Sequence, residues 1–591
     1  MKSLAFGTGA GERAGKRGVG LYHLIPFGLC LALSQVLALL PCLLWMRVLG
    51  KWIYIADRDN LYYLQLAARV YYGHAWFVSD PAVLGGWSPF PWMQFVPAAA
   101  LARICGISPF AINTIWLVTA GLGAAAGSYF LFYQFLRRRW AAALCTIVMI
   151  SSVNLREAQP LIRQAIDLIR IASGHPGELT AYGASLFEQY RVVHPGLSFP
   201  LVLFQIGFLA RARTSESKYR ALLPGLFFAL CIYSSLYDWT AIAFALALAF
   251  ILDRNQRRCY AEVAMIGVLL GSPGIFHSIS MKPRAVGLPR ISLLLKIPRD
   301  SYLMIPKAGI ALAILSGIWI LLRQRRDLAY LWALAVAALL LSDSARITGI
   351  ELHNGHWSFV WGPLLNGLFL LILATEIRPF WRHEWAIVCA VAVTVYAAAG
   401  IYMRAAEALE TREGVVIRAG LRAYQAQRMG PGIPRLAPGS VIGGDELFAD
   451  LAAVAEDQRP LAGYAALQAA TMTNDEWETR WALNRYLLGI SRDQLVSQAQ
   501  AFARAYQWGP WAFGEIPRSQ LACGLIQHFD AIVHDPRMVI QAFRAGYIAI
   551  PGGQDVPDSW RKAIPAVQDR DWKLIQRGPQ WLIYANAAGR Q

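Results

Sequence analysis

Three aspartates lie in one polar stretch that follows the first apolar run of the chain. Asp57 and Asp59 come a few residues after the run ends, and Asp80 precedes Pro81 in a segment rich in Gly, Pro and aromatic residues. A carboxylate can act as a general base towards a hydroxyl group, and it can also bind a hard divalent cation. Asp59 and Asp57 are therefore the candidate catalytic residues. The alternatives are an ordinary charged turn for this pair and a turn-capping role for Asp80.

The order of features in ADRDNLYYLQLAARVYYGHAWFVSDPAVLGGWSPFP, residues 56–91, is informative. The acidic pair is followed by Tyr62 and Tyr63, in a stretch with helical apolar spacing that ends at Gly73. This arrangement resembles the first outer loop of the GT-C superfamily of membrane glycosyltransferases, which includes oligosaccharyltransferase catalytic subunits, protein mannosyltransferases and aminoarabinose transferases. The segment DNLYY is similar to the oligosaccharyltransferase version. The Trp-Trp-Asp motif of those enzymes is absent, which argues against protein N-glycosylation.

The resemblance implies transfer of a sugar from a polyprenyl-phosphate or pyrophosphate donor to a glycan, lipid or protein acceptor on the non-cytoplasmic face. It implies that Asp59 or Asp57 is the base. Asp59 matches the position before the tyrosine pair, and Asp57 matches the position just after the span in mannosyltransferases. Tyr62 and Tyr63 become candidate substrate contacts. In metal-dependent members such acids bind a divalent ion, so Mg²⁺ or Mn²⁺ is a candidate cofactor, with Asp57 and Asp80 as candidate ligands.

A second polar segment, MKPRAVGLPRISLLLKIPRD, is basic although the topology below places it on the outer side. Arginine binds phosphate oxygens through parallel hydrogen bonds, so a lipid-linked phosphate is one reason for basic residues there. The candidate donor-phosphate ligands are Arg284 and Arg290, which lie in turns flanked by Pro or Gly, together with Lys282 and Arg299. The alternative is attraction to anionic phospholipid.

Three further places contribute candidates. Glu351 and His353 lie in the loop SDSARITGIELHNGHWSF and are possible metal ligands beside the first-loop acids. His194, Tyr237 and Asp238 lie at outer ends of apolar runs, where an aromatic and acidic cluster could bind a sugar ring. The alternatives are an ordinary polar loop and the interfacial aromatic residues expected of any membrane protein.

The composition predicts what holds these residues. Hydrophobic residues make up 56% of the chain and charged residues 16%, against about 25% charged in soluble domains. Apolar runs of about 20 residues recur through the first 400 positions, and such runs cross a bilayer as helices. The formal net charge of +18 comes mostly from clusters between the runs. This is typical of cytoplasmic loops and excludes a nucleic-acid role.

Counting crossings between these basic clusters gives a topology. Three apolar runs precede the cluster at Arg137, but three crossings would place it outside. The run 92–105 is short and contains Arg103, so we predict a surface helix there, as in the GT-C superfamily. About eleven transmembrane helices remain, and the N-terminus is cytoplasmic.

The predicted fold class is an all-α polytopic membrane domain, GT-C-like, with a C-terminal extracytoplasmic α/β or α+β soluble domain. The predicted parts are a cytoplasmic tail at 1–19, a membrane domain at 20–402 with a long first outer loop at 47–110, and a periplasmic domain at 403–591. In the last part, GSVIGGDELFADLAAVAEDQ predicts a strand, turn and helix, and WKLIQRGPQWLIYA predicts two strands about a turn. The predicted location is a bacterial-type inner membrane.

Two other functions fit parts of this pattern. A polysaccharide polymerase or ligase also has about a dozen spans and basic outer loops, but it relies on Arg and His instead of a first-loop acid. A flippase or transporter of lipid-linked substrates would carry charges in mid-span and repeated halves, and the sequence has few of the former and no internal repeat.

Overall fold

The computed structural model describes residues 24–586 except for 75–78, 84–85, 87, 89–91, 154, 156–163, 165–186, 282–283, 298–305, 378–382, 430–432, 434, 513, 515, 553–571 and 579. The predicted tail at 1–19 and the candidate ligands Lys282 and Arg299 lie outside the described residues. Most of the described chain is helical, with a small sheet near its C-terminal end.

The first two thirds of the chain consist mainly of apolar helices. Their bounds are α1 Ile25–Leu49, α2 Arg58–Tyr71, α3 Val96–Ile104, α4 Ile112–Leu136, α5 Arg139–Ile150, α6 Phe199–Ala212, α7 Leu222–Ile232, α8 Leu236–Leu252, α9 Arg257–Met281, α10 Lys307–Leu322, α11 Ala329–Leu341, α12 Ala345–Thr348, α13 Ser358–Glu376 and α14 His383–Glu410. By length and composition, α1, α4, α9, α13 and α14 are long and apolar enough to cross a membrane, and shorter apolar helices accompany them. The chain is therefore an integral membrane protein, and eleven crossings remain a prediction.

The run at 92–105 forms α3, which has nine residues and ends before Cys105. At 1.5 Å of rise per residue such a helix is about 14 Å long, which is less than half of a bilayer core. The prediction that this run does not cross the membrane agrees with that length.

Two outer segments that are far apart in the sequence pair as a short antiparallel sheet. β1 Leu293–Lys296 lies in the basic segment, and β2 Ile350–Leu352 lies just before α13. The strands place Leu295 opposite Glu351. This pairing brings the two loops into contact, and the sequence analysis did not predict it.

The last third combines helices with a mixed sheet. Its helices are α15 Arg412–Arg428, α16 Glu446–Glu456, α17 Tyr464–Gln468, α18 Asn474–Leu487, α19 Arg492–Ala505, α20 Gly509–Ala512, α21 Arg518–His534 and α22 Pro536–Ala542. Its strands are β3 Val441–Gly444, β4 Arg459–Pro460, β5 Ala545–Pro551, β6 Trp572–Arg577 and β7 Trp581–Asn586, in the sheet order β4-β3-β5-β7-β6. β3 followed by α16 confirms the predicted strand, turn and helix, and β6 with β7 confirms the predicted strand pair.

The first outer loop lies between the membrane helices and this C-terminal part. Helix α2 packs on α3 on one side and on α16 on another. A buried ion pair joins Arg69 near the end of α2 to Asp457, and His74 Nε2 lies 2.5 Å from the second oxygen of the same carboxylate. Because α2 carries Asp59 and the tyrosine pair, these contacts hold the candidate catalytic residues against the C-terminal part.

Candidate functional site

The turn before α2 fixes the position of Asp57. Its Oδ1 accepts a hydrogen bond of 2.7 Å from the backbone N–H of Asn60, and Asp57 is thereby the N-cap of α2. The Asn60 side chain accepts from the N–H of Ala56 at 3.2 Å and donates to Asn113 Oδ1 at 2.9 Å. Asn113 in turn donates to the carbonyl of Tyr54. This network attaches the turn to the first residues of α4, so the Asp57 carboxylate has one defined place.

Burial raises the pKa of Asp57 to about 6, and the negative charge of Asp59 acts in the same direction. The Arg191 guanidinium opposes both effects, and so does the hydrogen bond from Asn60. A carboxylate with a pKa close to neutral is suited to general base catalysis, because it is ionised at pH 7 and still has appreciable affinity for a proton.

Asp59 has a different environment, because both of its oxygens have partners. Oδ2 forms an ion pair with Arg191, and Oδ1 accepts a hydrogen bond from the hydroxyl of Tyr464 in α17. A carboxylate held by two donors is fixed in position and less available to take a proton. Asp59 therefore connects the first outer loop to the loop that contains Arg191 and to the C-terminal part.

Arg191 belongs to a loop that the membrane helices hold in place. The neighbouring Gln189 donates from Nε2 to the carbonyls of Ile150 and Ser152, at 2.8 and 2.9 Å. The hydroxyl of Tyr190 also hydrogen-bonds to the carbonyl of Ile150, at 3.1 Å. The Arg191 guanidinium lies 5.7 Å from the centre of the Phe359 ring. Its position beside the two aspartates is thus determined by the end of α5 and the start of α13.

An aromatic cluster continues from Phe359 across the neighbouring ends of the helices. The His194 ring lies 5.3 Å from Phe359 and 5.5 Å from Tyr237, and Tyr237 lies 4.9 Å from His356. His194 Nδ1 lies 3.8 Å from Asp238 Oδ2. The predicted group of His194, Tyr237 and Asp238 is therefore brought together by the fold.

The cluster closes on itself through the C-terminal part. The rings of His356 and His353 are 5.0 Å apart, and His353 lies 6.4 Å from Trp508. Trp508 lies 6.4 Å from Tyr464, the residue whose hydroxyl contacts Asp59. Burial lowers the pKa of His353 to about 4, so this ring is neutral at pH 7. These contacts form a closed circuit. It starts at Asp59, passes through Arg191 to the aromatic and imidazole rings, and returns to Asp59 through Tyr464.

A pocket lies next to this circuit, with about 370 Å³ of space between atoms, open solvent included. Its lining includes Asp57, Tyr63 and Arg191. A second ion pair, Arg404 Nη1 to Glu407 Oε2 at 2.5 Å, lies in the wall formed by the end of α14. The pocket therefore combines a carboxylate of raised pKa with two guanidinium groups. Tyr62, the other member of the tyrosine pair, is not among the lining residues, and its ring lies 6.2 Å from the Tyr464 ring.

The basic segment is not organised as predicted. Arg290 is completely buried and donates to the backbone carbonyls of Leu467, Ala469, Met472 and Thr473 at 2.7–3.2 Å. Its guanidinium is therefore engaged by the C-terminal part, and its structural role replaces the predicted contact to a donor phosphate. Its Pro- and Gly-flanked turn suggested exposure, but the turn is covered by the segment between α17 and α18.

Arg284 is exposed, and no described contact links it to the aspartates. The predicted set of phosphate ligands is thus not gathered at the site by the described residues. Arg191, which was not predicted, occupies the place beside the carboxylates.

Asp80 caps a turn, as its alternative interpretation suggested. Its Oδ1 accepts from the backbone N–H of Ala82 at 2.8 Å and of Val83 at 3.1 Å. The side chain is fully buried, and burial raises its pKa to about 6. No described contact links it to Asp57 or Asp59.

The four predicted metal ligands are also kept apart. Glu351 is buried in β2 and accepts from the N–H of Asn354 at 2.8 Å, while Asp57 uses Oδ1 to cap α2. His353 belongs to the aromatic circuit. Among the described residues, no group of three or more His, Cys, Asp or Glu side chains is arranged to bind a metal ion. The described residues therefore do not bring Asp57, Asp80, Glu351 and His353 together as one metal site.

Sequence reasoning missed Arg191, Tyr464 and Trp508. A signal existed for Arg191, since it is a basic residue in an outer loop and the positive-inside argument applied to 281–300 applies equally to it. Tyr464 and Trp508 had no such signal, because they reach the site only through the packing of the C-terminal part on α2.

No family model matches the chain, and no curated protein sequence matches it. Among solved structures, ArnT from Cupriavidus metallidurans bound to undecaprenyl phosphate is similar, with 11% sequence identity and a TM-score of 0.44, over 96% of this chain and 98% of that chain. The apo state of the same protein is similar at 11% identity and a TM-score of 0.44, over 95% and 98% of the two chains.

Proposed function

We propose that this protein is a membrane glycosyltransferase that takes a sugar from a polyprenyl-phosphate or pyrophosphate donor on the non-cytoplasmic face of an inner membrane. The observation that carries the proposal is that Asp57 and Arg191 both line one pocket. One group can accept a proton and the other can bind a phosphate, and both lie where α1 ends.

The residues of the pocket support a direct displacement at the anomeric carbon. The acceptor hydroxyl forms the new bond to that carbon while Asp57 takes its proton. The bond from the anomeric carbon to the donor phosphate breaks, and the electron pair leaves with the phosphate oxygen. Arg191 lies beside the carboxylates and stabilises the negative charge that develops on the leaving phosphate. No step requires a divalent cation, since the guanidinium supplies the positive charge.

We assign the base to Asp57 and a positioning role to Asp59. Asp57 has one oxygen that is not used in capping α2, and its pKa is raised towards neutrality. Asp59 is bound by Arg191 and by the Tyr464 hydroxyl, so it holds the guanidinium in the pocket wall. The sequence analysis had left this choice open.

The ring of aromatic and imidazole side chains is suited to the sugar. Aromatic faces pack against the C–H groups of a pyranose, and the neutral His353 adds hydrogen-bonding capacity without charge. Tyr464 and Trp508 belong to the C-terminal part, so residues 403–591 complete the site from the non-cytoplasmic side. In this topology residues 1–19 are cytoplasmic and residues 20–402 form the membrane domain. The acceptor is a glycan, lipid or protein.

The proposal is tested by replacing the chromosomal gene with variants in the native host and measuring envelope glycans and glycolipids by mass spectrometry. Asp57→Asn removes the base while keeping the shape of the cap, and we expect it to abolish the product seen with the wild type. Arg191→Gln should reduce the product strongly.

Arg504→Gln is the matched control, because Arg504 is exposed and far along the chain in α19. It should leave the product unchanged at equal protein level in the membrane. A wild-type amount of product from Asp57→Asn would contradict the assignment. Full activity of Asp57→Asn together with loss of activity in Arg284→Gln would support the polymerase or ligase alternative.

A further inference from the structure

Apart from the pocket at Asp57 and Arg191, the chain has a surface where two candidate spans end beside the first outer loop. The candidate spans are Ile25–Leu49 in α1 and Ile387–Glu410 in α14. The indole Nε1 of Trp45 donates to the carbonyl of Ala408 at 2.8 Å, so the two helices end at the same height. Helix α15 begins two residues later, at Arg412. It therefore starts at the membrane surface.

A groove separates α15 from the end of α1. It has about 840 Å³ of empty space, open solvent included, and its lining comprises Val48, Val415, Arg418, Ala419, Arg422, Ala423 and Ala426. We call this the α15 groove. Small alanines leave the space open, while Val48 and Val415 are 42% and 40% exposed. The lining thus has an exposed valine at the end of α1, an exposed valine near the start of α15, and two arginines of α15.

The charge of the α15 groove is not neutralised within the described chain. Arg418 and Arg422 are four residues apart, which places them on one face of the helix. Arg418 donates from Nη2 to the carbonyl of Leu409 at 3.3 Å and lies 5.8 Å from the Trp45 ring. Its Nη1 is buried without a hydrogen-bond partner among the described atoms. Neither arginine forms an ion pair with a described acid.

Unpaired arginines and exposed valines at a membrane surface need a ligand that is anionic at one end and apolar at the other. We propose that the α15 groove binds one acidic glycerophospholipid, with its phosphate against Arg418 and Arg422 and its acyl chains beside Val48 and Val415. Arginine binds phosphate oxygens with two donors, and the exposed valines beside the two arginines suit a ligand that also carries acyl chains. A soluble anion would not use the apolar part of the groove.

The site has a connection to the pocket described above. The backbone N–H of Arg58, next to Asp57, donates to Glu413 Oε2 at 3.1 Å, and Glu413 is in the first turn of α15. A lipid that holds α15 therefore also steadies the turn that bears Asp57. Binding itself does not depend on whether the protein transfers sugar.

The test is native mass spectrometry of the full chain in detergent, titrated with phosphatidylglycerol or phosphatidylcholine. The variant Arg418→Gln with Arg422→Gln should bind phosphatidylglycerol about thirty-fold more weakly, since each basic residue near an anionic headgroup contributes roughly a factor of five. Ala419→Leu fills the groove without changing its charge and should weaken phosphatidylglycerol binding too. Arg504→Gln with Arg577→Gln removes two exposed arginines elsewhere and should bind as the wild type does.

Equal phosphatidylglycerol binding by the wild type and both groove variants would overturn the proposal. An equal preference of the wild type for phosphatidylcholine would overturn the role of the arginines. Displacement of phosphatidylglycerol by millimolar inorganic phosphate would show that the groove binds a free anion instead of a lipid. Circular dichroism and thermal unfolding of each variant would confirm that the fold is intact.

Discussion

Replacing Arg290 should destabilise the protein, because this side chain joins the basic outer segment to the C-terminal part. It is completely buried, donates to four backbone carbonyls, and lies 5.6 Å from the Trp477 ring. Arg290→Met keeps an unbranched apolar side chain in place of the arginine stem but leaves those carbonyls without donors. Each buried acceptor that loses its donor costs about 1 kcal/mol or more, so the four carbonyls together should cost about 3–5 kcal/mol.

The expected change is large enough to measure directly. For a unit of 150–250 residues, 1 kcal/mol changes Tm by about 2–4 °C, so the loss corresponds to about 6–20 °C. Arg290→Lys offers at most three donors and should recover roughly half of the difference. The assay is thermal unfolding of the purified full chain in detergent, followed by tryptophan fluorescence, with limited proteolysis between residues 403 and 591 as a second measurement. Arg504→Met is the control, and it should unfold at the wild-type Tm.

One result would refute this reasoning. If Arg290→Met unfolded within about 2 °C of the wild type while losing donor binding, Arg290 would be a phosphate ligand, as the sequence suggested. The role as a link between two parts of the chain would then be wrong.

Three further predictions concern the pocket. Activity should fall as the pH decreases through the pKa of Asp57, about 6, because the base must be ionised. A rate that stays constant from pH 5 to 8 would count against Asp57 as the base. Arg191→Gln removes a positive charge that lowers the pKa of Asp57, so activity should begin to fall about one pH unit higher than in the wild type. Asp59→Asn removes a negative charge that raises this pKa, so activity should begin to fall at a lower pH. Tyr464→Phe removes one donor to Asp59 and should reduce the rate about ten-fold with unchanged Tm, as measured by product formation and thermal unfolding. Trp508→Ala should raise KM more than it lowers kcat, and an equal loss in both would indicate a different role.

Much of the fold could be predicted because it depends on local sequence. Apolar runs longer than a bilayer is thick must be helices, and the short run at 92–105 was identified as different by its length and by Arg103. The strand and helix around Asp445 also follow from the local pattern, since this residue caps α16 through a 2.8 Å bond to Phe448. The pairing of β1 with β2 could not be predicted, because residues 293–296 and 350–352 are separated by two apolar helices.

Part of the site could also be predicted from local sequence. Asp57 and Asp59 stand in one contiguous motif, and the structure places both at the pocket or beside it. The choice between them depends on the partners Arg191 and Tyr464, which lie 132 and 405 residues away from Asp59 in the chain. Arg290 was misjudged because a turn with Pro and Gly gives no indication that another part of the chain will cover it.

The central claim is that Asp57 serves as base in a sugar transfer from a polyprenyl-phosphate donor. It is tested most directly by reconstituting the purified full chain into liposomes with a lipid extract from a strain that lacks the gene, and then measuring released polyprenyl phosphate and new glycosylated product by mass spectrometry. We predict that the wild type forms both in equal amounts and that Asp57→Asn forms neither. Wild-type release from Asp57→Asn, or movement of lipid-linked sugar across the bilayer without any covalent product, would contradict the claim.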